Sequence, residues 1–161
     1  MSAAVYVGGI DPGTSCGWAV RYPDGAYCSG TWDLRARRHE GGGMRFLRFT
    51  KYFAELLDGL RYGDGIIVGY EEVRRHMGVD ATHVYGGIIG ALSARCEELQ
   101  IPYSGYPVGT VKKLATGKGN ASKDRMVEAA VDKWPGYEWS GYDEVDARWI
   151  AETAHAAVVA P

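Results

Sequence analysis

At 161 residues, 46% of them apolar and 24% charged, the chain has the make-up of an ordinary globular protein, expected to form one domain over residues 1–161. No apolar run approaches the ~18 residues of a membrane span, and the start lacks the basic-then-apolar layout of a signal peptide, so no membrane contact and a cytoplasmic location are expected. The net charge of −2 argues against a protein that coats nucleic acid indiscriminately, and the odd, widely spaced Cys16, Cys28 and Cys96 predict reduced core thiols and exclude a paired-cysteine zinc site.

Residues 5–10 are β-branched and apolar, as in a strand buried on both faces. Residues 17–22 alternate, with Trp18, Val20 and Tyr22 on one side and Ala19 and Arg21 on the other. A "PDG" turn follows, and 26–34 reads as the returning strand, which makes a three-strand meander. After the polar, glycine-rich loop 35–43 the period changes. Phe46, Phe49, Phe53, Leu56, Leu57 and Leu60 mark an amphipathic helix closed by "RYGDG". Residues 66–72 form a fourth strand that ends in acids and, after a helical crossover, lies parallel to the first. A helix rich in small residues over 82–99, a short strand over 101–106, and helices over 122–133 (with Ser122 as N-cap) and 142–158 complete the chain. This element order predicts an α/β ribonuclease H-like fold: a five-stranded mixed sheet, three antiparallel strands then parallel ones, flanked by helices.

Acids stand where such a sheet would gather them. Asp11 ends the first strand and Glu71 or Glu72 the fourth. Only one of that pair can share a face with Asp11, because consecutive strand residues point to opposite faces. Asp143 and Asp146 are three apart and share one face of the last helix, while Glu144 is turned away. Carboxylates gathered at ~4 Å repel by about 4 kcal/mol per pair at an effective dielectric of 20, so the cluster makes sense only if cations neutralise it. Oxygen ligands select Mg²⁺ or Mn²⁺ over zinc, and two such ions suit phosphodiester hydrolysis. Basic residues also gather, in Arg35, Arg37, Arg38 and His39, in Arg74, Arg75 and His76, and in Lys112, Lys113, Lys118 and Lys123. Each group could be solvated loop charge or part of a local basic surface.

"GIDPGTSCGWAV", the acid in "VGYEEV", "VKKLATGKGNASK" and "DEVDARWIA" together resemble the RuvC-like Holliday-junction resolvases, above all the compact phage-encoded ones, over nearly the whole chain. The resemblance implies a magnesium-dependent endonuclease with two ions per site, Mn²⁺ being a substitute. It would resolve four-way or other branched DNA as a homodimer. It places the catalytic, metal-holding carboxylates at Asp11, Glu71 (in preference to Glu72), Asp143 and Asp146. It makes Lys112 and Lys123 the lysines that approach DNA phosphate. Lys118, Arg74 and Arg75 are further candidate DNA contacts on the strength of their charge alone. "VYGGIIGALSA" resembles the dimerisation helix. The chain departs from the best-known bacterial members after Glu71, where an aromatic wedge gives way to "VRRHMGVDATH", with His76 and Met77 as the side chains that could insert.

Three other readings compete for the same residues. A sugar-kinase or actin-like phosphate turn needs two lobes, and the length supplies one. A YqgF-like RNA-processing nuclease shares the opening motif but lacks a counterpart to "GKGNASK". A non-catalytic module of the same fold has no reason to keep four acids in place.

Overall fold

The computed structural model describes residues 5–60, 65–75 and 78–160. The first three strands are β1 (Tyr6–Asp11), β2 (Ser15–Arg21) and β3 (Tyr27–Asp33), an antiparallel meander. Asp24 shapes the turn between β2 and β3 by accepting a hydrogen bond from the Ala26 amide at 2.9 Å. Strand β4 (Ile66–Glu72) pairs parallel to β1, and β5 (Tyr103–Pro107) parallel to β4. Among the described residues the sheet thus has five strands, in the order β3-β2-β1-β4-β5. The expected mixed sheet is the one observed.

Five helices among the described residues flank it: α1 (Met44–Asp58), α2 (Val79–Leu99), α3 (Val108–Thr116), α4 (Lys123–Lys133) and α5 (Tyr142–Val159). Ser122 caps α4 as expected, its side chain accepting from the Arg125 amide at 3.2 Å. Helix α3 is a departure, because the sequence pattern predicts nothing regular between the fifth strand and Ser122. It has nine residues and buries only Val111, too little for an apolar stripe to show. Cys16 and Cys96 are core thiols, but Cys28 is exposed on β3, against expectation. Residues 61–64 of the closing loop after α1, and the candidate wedge residues His76 and Met77, lie outside the described residues.

The two faces of the sheet are filled differently. On one, Ile10, Cys16 and Val68 pack against Phe49 and Phe53 of α1 and Ile88 and Leu92 of α2. Those four helix side chains are at most 1% exposed, and burial of each contributes about 1.5–3 kcal/mol. On the other face α5 lies directly on the strands. Its alanines Ala147, Ala151 and Ala154 meet Val7 and Ala19, and glycines stand where the approach is closest. A Cβ on Gly9 would come within 2.2 Å of the Ala147 carbonyl oxygen, and one on Gly17 within 1.8 Å of that of Asp143. Val111, Met126, Ala130, Trp149 and Ile150 then tie α3 and α4 to α5.

Candidate active site

Asp11 is the last residue of β1, and the parallel register pairs Ile10 with Tyr70 on β4. The next step along both strands sets Asp11 beside Glu71, on the face that carries Gly9 and Gly69. Glu72 belongs to the opposite face and lies 3.8 Å from the exposed Arg74 guanidinium. Strand alternation alone leaves the choice between the two glutamates open. The register decides which one shares a face with Asp11, and it is Glu71.

The other two acids arrive from above. Helix α5 starts at Tyr142, and its first turns carry Asp143 and Asp146 over the carboxyl ends of β1 and β4. The backbone contact at Gly17, which is the β2 partner of Asp11, fixes the height of that first turn. Ser15 donates its hydroxyl to Asp143 Oδ2 at 2.7 Å and so fixes one carboxylate oxygen. Sequence reasoning misses Ser15; its signal is a hydroxyl residue immediately beyond the D-x-G-T turn.

Glu144 is turned away from the cluster as expected, and its surroundings are elaborate. It is 1% exposed and accepts from the Ser140 amide at 2.8 Å and from the Ser29, Ser140 and Tyr137 hydroxyls. Burial pushes its carboxyl up, but these donors outweigh that and leave it below the usual carboxylate range. Arg148 donates to Ser29 Oγ at 2.8 Å, and its guanidinium lies 3.9 Å from the Tyr137 ring centre and 4.8 Å from that of Trp139. This network binds loop 134–141 to the start of α5, one residue from Asp143.

The acids act on one another. Burial holds Asp11 well above the usual carboxylate range, and the charges of Glu71, Asp146 and Asp143 raise it further. Its carboxyl lies within hydrogen-bonding reach of Glu71. Burial also raises Glu71, against the opposing pull of Asp11, Lys112 and Lys123. Asp146 is pushed up to about 7, by burial first and then by Glu71 and Asp143, while Lys123 and Lys112 pull it down. Side chains from 11 to 146 in the sequence therefore share one electrostatic site.

Lys112 from α3 and Lys123 from α4 are the cations that bear on the acids. Lys123 stands 5.6 Å from the centre of the Tyr142 ring, and Tyr142 donates to Asp124 Oδ1 at 3.0 Å. Lys118 is exposed in the turn between α3 and α4, and Arg74 and Arg75 are exposed beyond β4. Among the described residues no three acidic, histidine or cysteine side chains are already drawn in to ion-holding separation. The donor chemistry nonetheless fits a hard divalent ion. It is all oxygen, it is mutually repelling, and proton uptake partly neutralises it when no cation does so.

A mixed sheet in this strand order, with its last helix laid across β1, β2 and β4 and acids meeting at the carboxyl edge, is the ribonuclease H-like fold. No protein-family model matches the chain. A curated protein and several solved structures do. The chain is 30% identical over 128 residues to the crossover junction endodeoxyribonuclease RuvC of Nitratidesulfovibrio vulgaris, covering 78% of this chain and 75% of that one. It superposes on Thermus thermophilus RuvC in complex with Holliday junction substrate with a TM-score of 0.77 and 25% identity, over 95% of this chain and 94% of that one. A second structure of Thermus thermophilus RuvC gives 0.70 and 24%, over 94% and 95%. The yeast mitochondrial Holliday junction resolvase shares the fold, with 0.54 and 16%, over 95% and 78%. The chain belongs to the RuvC family of crossover junction endodeoxyribonucleases.

Proposed function

We propose that this chain resolves Holliday junctions, or closely similar branched DNA, by paired nicks from the two active sites of a homodimer. One observation carries the reading: Asp11, Glu71, Asp143 and Asp146 meet at one sheet edge, where the charges of Glu71, Asp146 and Asp143 raise the proton affinity of Asp11, and those of Glu71 and Asp143 that of Asp146. In this reading the four carboxylates hold two Mg²⁺ ions, with Mn²⁺ as a substitute. When bound, such ions supply Lewis acidity and charge neutralisation at phosphorus.

The chain's own groups do the rest. Lys112 and Lys123 hold the scissile phosphate against the acid cluster, and Lys123 sits at a helix start where backbone N–H groups add to its pull. Asp143, with Oδ2 fixed by Ser15, orients the attacking water through its free oxygen. Water adds to phosphorus in line, the bond from phosphorus to the 3′ oxygen breaks, and a 5′-phosphate and a 3′-hydroxyl result. Arg74, Arg75 and Lys118 grip more distant phosphates. Junction shape and backbone contacts set specificity ahead of base readout. The two copies meet through the exposed face of α2, where Gly86, Gly90 and Ala94 allow close approach. Acting on DNA of this kind, the protein works in the cytoplasm.

The test is incubation with four-way, forked and linear duplex DNA in Mg²⁺, Mn²⁺ or EDTA. Symmetric nicks near the crossover, dependent on divalent ions and absent from linear duplex, are expected. Equal cutting of linear DNA, or cutting that survives EDTA, would overturn the proposal.

A further inference from the structure

A second basic segment of the chain lies away from both lysines. From Asp33 to Arg48 there are five arginines, Arg35, Arg37, Arg38, Arg45 and Arg48, against two acids, in a chain whose net charge is −2. Topology gives this segment a specific address. Strand β3 runs parallel to β1, since both are antiparallel to β2, so the loop after Asp33 leaves the sheet at the edge where Asp11 sits. The Leu34 amide donates to the Thr14 carbonyl at 2.8 Å, which ties the loop to the turn that follows Asp11.

The loop is also pre-shaped. Arg48, with a side chain only 12% exposed, pairs with Glu40 and donates to the Arg35 carbonyl at 2.9 Å. Glu40 accepts from the Arg37 amide at 3.0 Å and donates its own amide to the Arg37 carbonyl at 2.9 Å. Arg35 closes on Asp33 at 2.7 Å. Arg45 donates to the Gly42 carbonyl at 2.9 Å, so three of the arginines fasten the loop from within. Arg37 and Arg38 are left exposed at its tip beside His39, with no hydrogen bond or ion pair from either guanidinium among the described residues.

We infer that the loop between β3 and α1 is a second DNA-backbone contact, in which Arg37 and Arg38 grip phosphates of the duplex arm that leads away from the cleavage site. The inference rests on the nuclease reading above and adds a surface that the four acids and the lysines do not provide. Strand β3 is two strands from β1, about 10 Å at the usual spacing. DNA advances ~3.4 Å per nucleotide along one strand, so the phosphates reached lie about three to six nucleotides from the cut. Guanidinium forks suit phosphate oxygens, and a loop that is already ordered loses little freedom on binding.

The experiment compares the wild-type protein with Arg37→Ala/Arg38→Ala, both full length, binding a four-way junction in EDTA over a range of salt. Both side chains are exposed, so matching melting curves are the folding control. The slope of log affinity against log salt should fall by about 1.8 in the double variant, ~0.9 for each phosphate that is no longer neutralised. Single-turnover nicking in Mg²⁺ at saturating protein should not change. In a second arm, neutral methylphosphonates replace the phosphates about three to six nucleotides from the cut. They should weaken the wild type as much as the double variant is weakened on native DNA, and weaken the variant no further. Coincident salt slopes, or fully additive losses, would overturn the inference and assign the loop's charge to something other than DNA. A wild type that nicks junctions while the slopes coincide sinks only the loop. A wild type that nicks no branched DNA sinks the nuclease reading, and the slopes still decide whether the loop touches DNA.

Discussion

A methyl group added at Gly17 would stand 1.8 Å from the carbonyl oxygen of Asp143. The first turn of α5 rests on bare backbone there, and that contact sets how far Asp143 and Asp146 hang above Asp11. Gly17→Ala must therefore lift or tilt the helix start. We expect a stability loss of about 1–3 kcal/mol, the usual scale of overpacking, read as a lower melting temperature, together with a larger loss of nicking than of junction binding. Gly41→Ala is the control, since nothing lies within 4 Å of a Cβ at that position. If Gly17→Ala melts and cuts like the control, the helix is not seated by this contact.

Asp146 gives a test on both chemistry and stability. Its carboxyl is pushed up to about 7 by burial, Glu71 and Asp143, so at pH 8 without metal it is held ionised against its surroundings. Asp146→Asn keeps the shape and removes the charge. Nicking should fall about 100-fold or more, the scale of removing one transition-state interaction, while junction binding in EDTA persists. The metal-free variant should melt higher than the wild type at pH 8, and Mg²⁺ should stabilise it less. Full cleavage by the variant would remove Asp146 from the mechanism.

The pH dependence follows from the same side chain. Its folded-state proton affinity is above the usual value of 3.8, so the folded protein binds the more protons between about 4 and 7. Without metal, the contribution of Asp146 to stability should be fullest below that window and decline as pH rises through it. Cleavage should run the other way, rising as Asp146 loses its proton. Because ions and protons compete for the same oxygens, the midpoint of that rise should move to lower pH as Mg²⁺ is increased. A midpoint indifferent to Mg²⁺ would mean that the titrating group does not hold the ion.

Lys123 should act on both binding and rate. An ammonium on a phosphate oxygen is a charge-assisted bond worth about 1.5–3 kcal/mol, so Lys123→Ala should slow nicking about 10- to 100-fold. It should also reduce the salt slope of binding by ~0.9. The Tyr142 ring beside the ammonium makes Tyr142→Leu a milder copy of the same defect. Unchanged rates at every salt concentration would exclude a phosphate role for Lys123.

The sequence shows the acids more readily than it shows what holds them. Asp11 is legible because an ionisable residue at the end of an apolar strand is conspicuous, and Asp143 with Asp146 because helical spacing puts them on one face. Strand alternation cannot choose Glu71 over Glu72; the resemblance prefers Glu71, and the geometric reason is the pairing of Ile10 with Tyr70, a relation across 60 residues that no hydrophobic period contains. The close-approach role of Gly9 and Gly17 is hidden for the same reason, since the atoms they make room for belong to α5. Glu144 could be placed off the face that carries Asp143 and Asp146, but its clamp on loop 134–141 depends on Ser29 from the edge strand. Helix α3 escapes notice because nine residues with a single buried side chain carry no readable period.

Pairing of two active sites can be tested at α2. Gly86 and Gly90 are exposed, and a Cβ at either meets nothing within 4 Å, so within one chain the helix tolerates larger residues there. Gly90→Glu should leave the monomer as stable as before or better, because glutamate is the stronger helix former by several tenths of a kcal/mol. Across a two-fold axis the same substitution sets two like charges against each other. Sedimentation should show the wild type at twice the 17.5 kDa of one chain and the variant at that mass. On a junction whose two cut sites are separately labelled, the variant's nicks should become independent of each other. A wild type that sediments as a monomer at working concentration and still makes paired nicks would mean that the two cuts are coordinated by something other than this face.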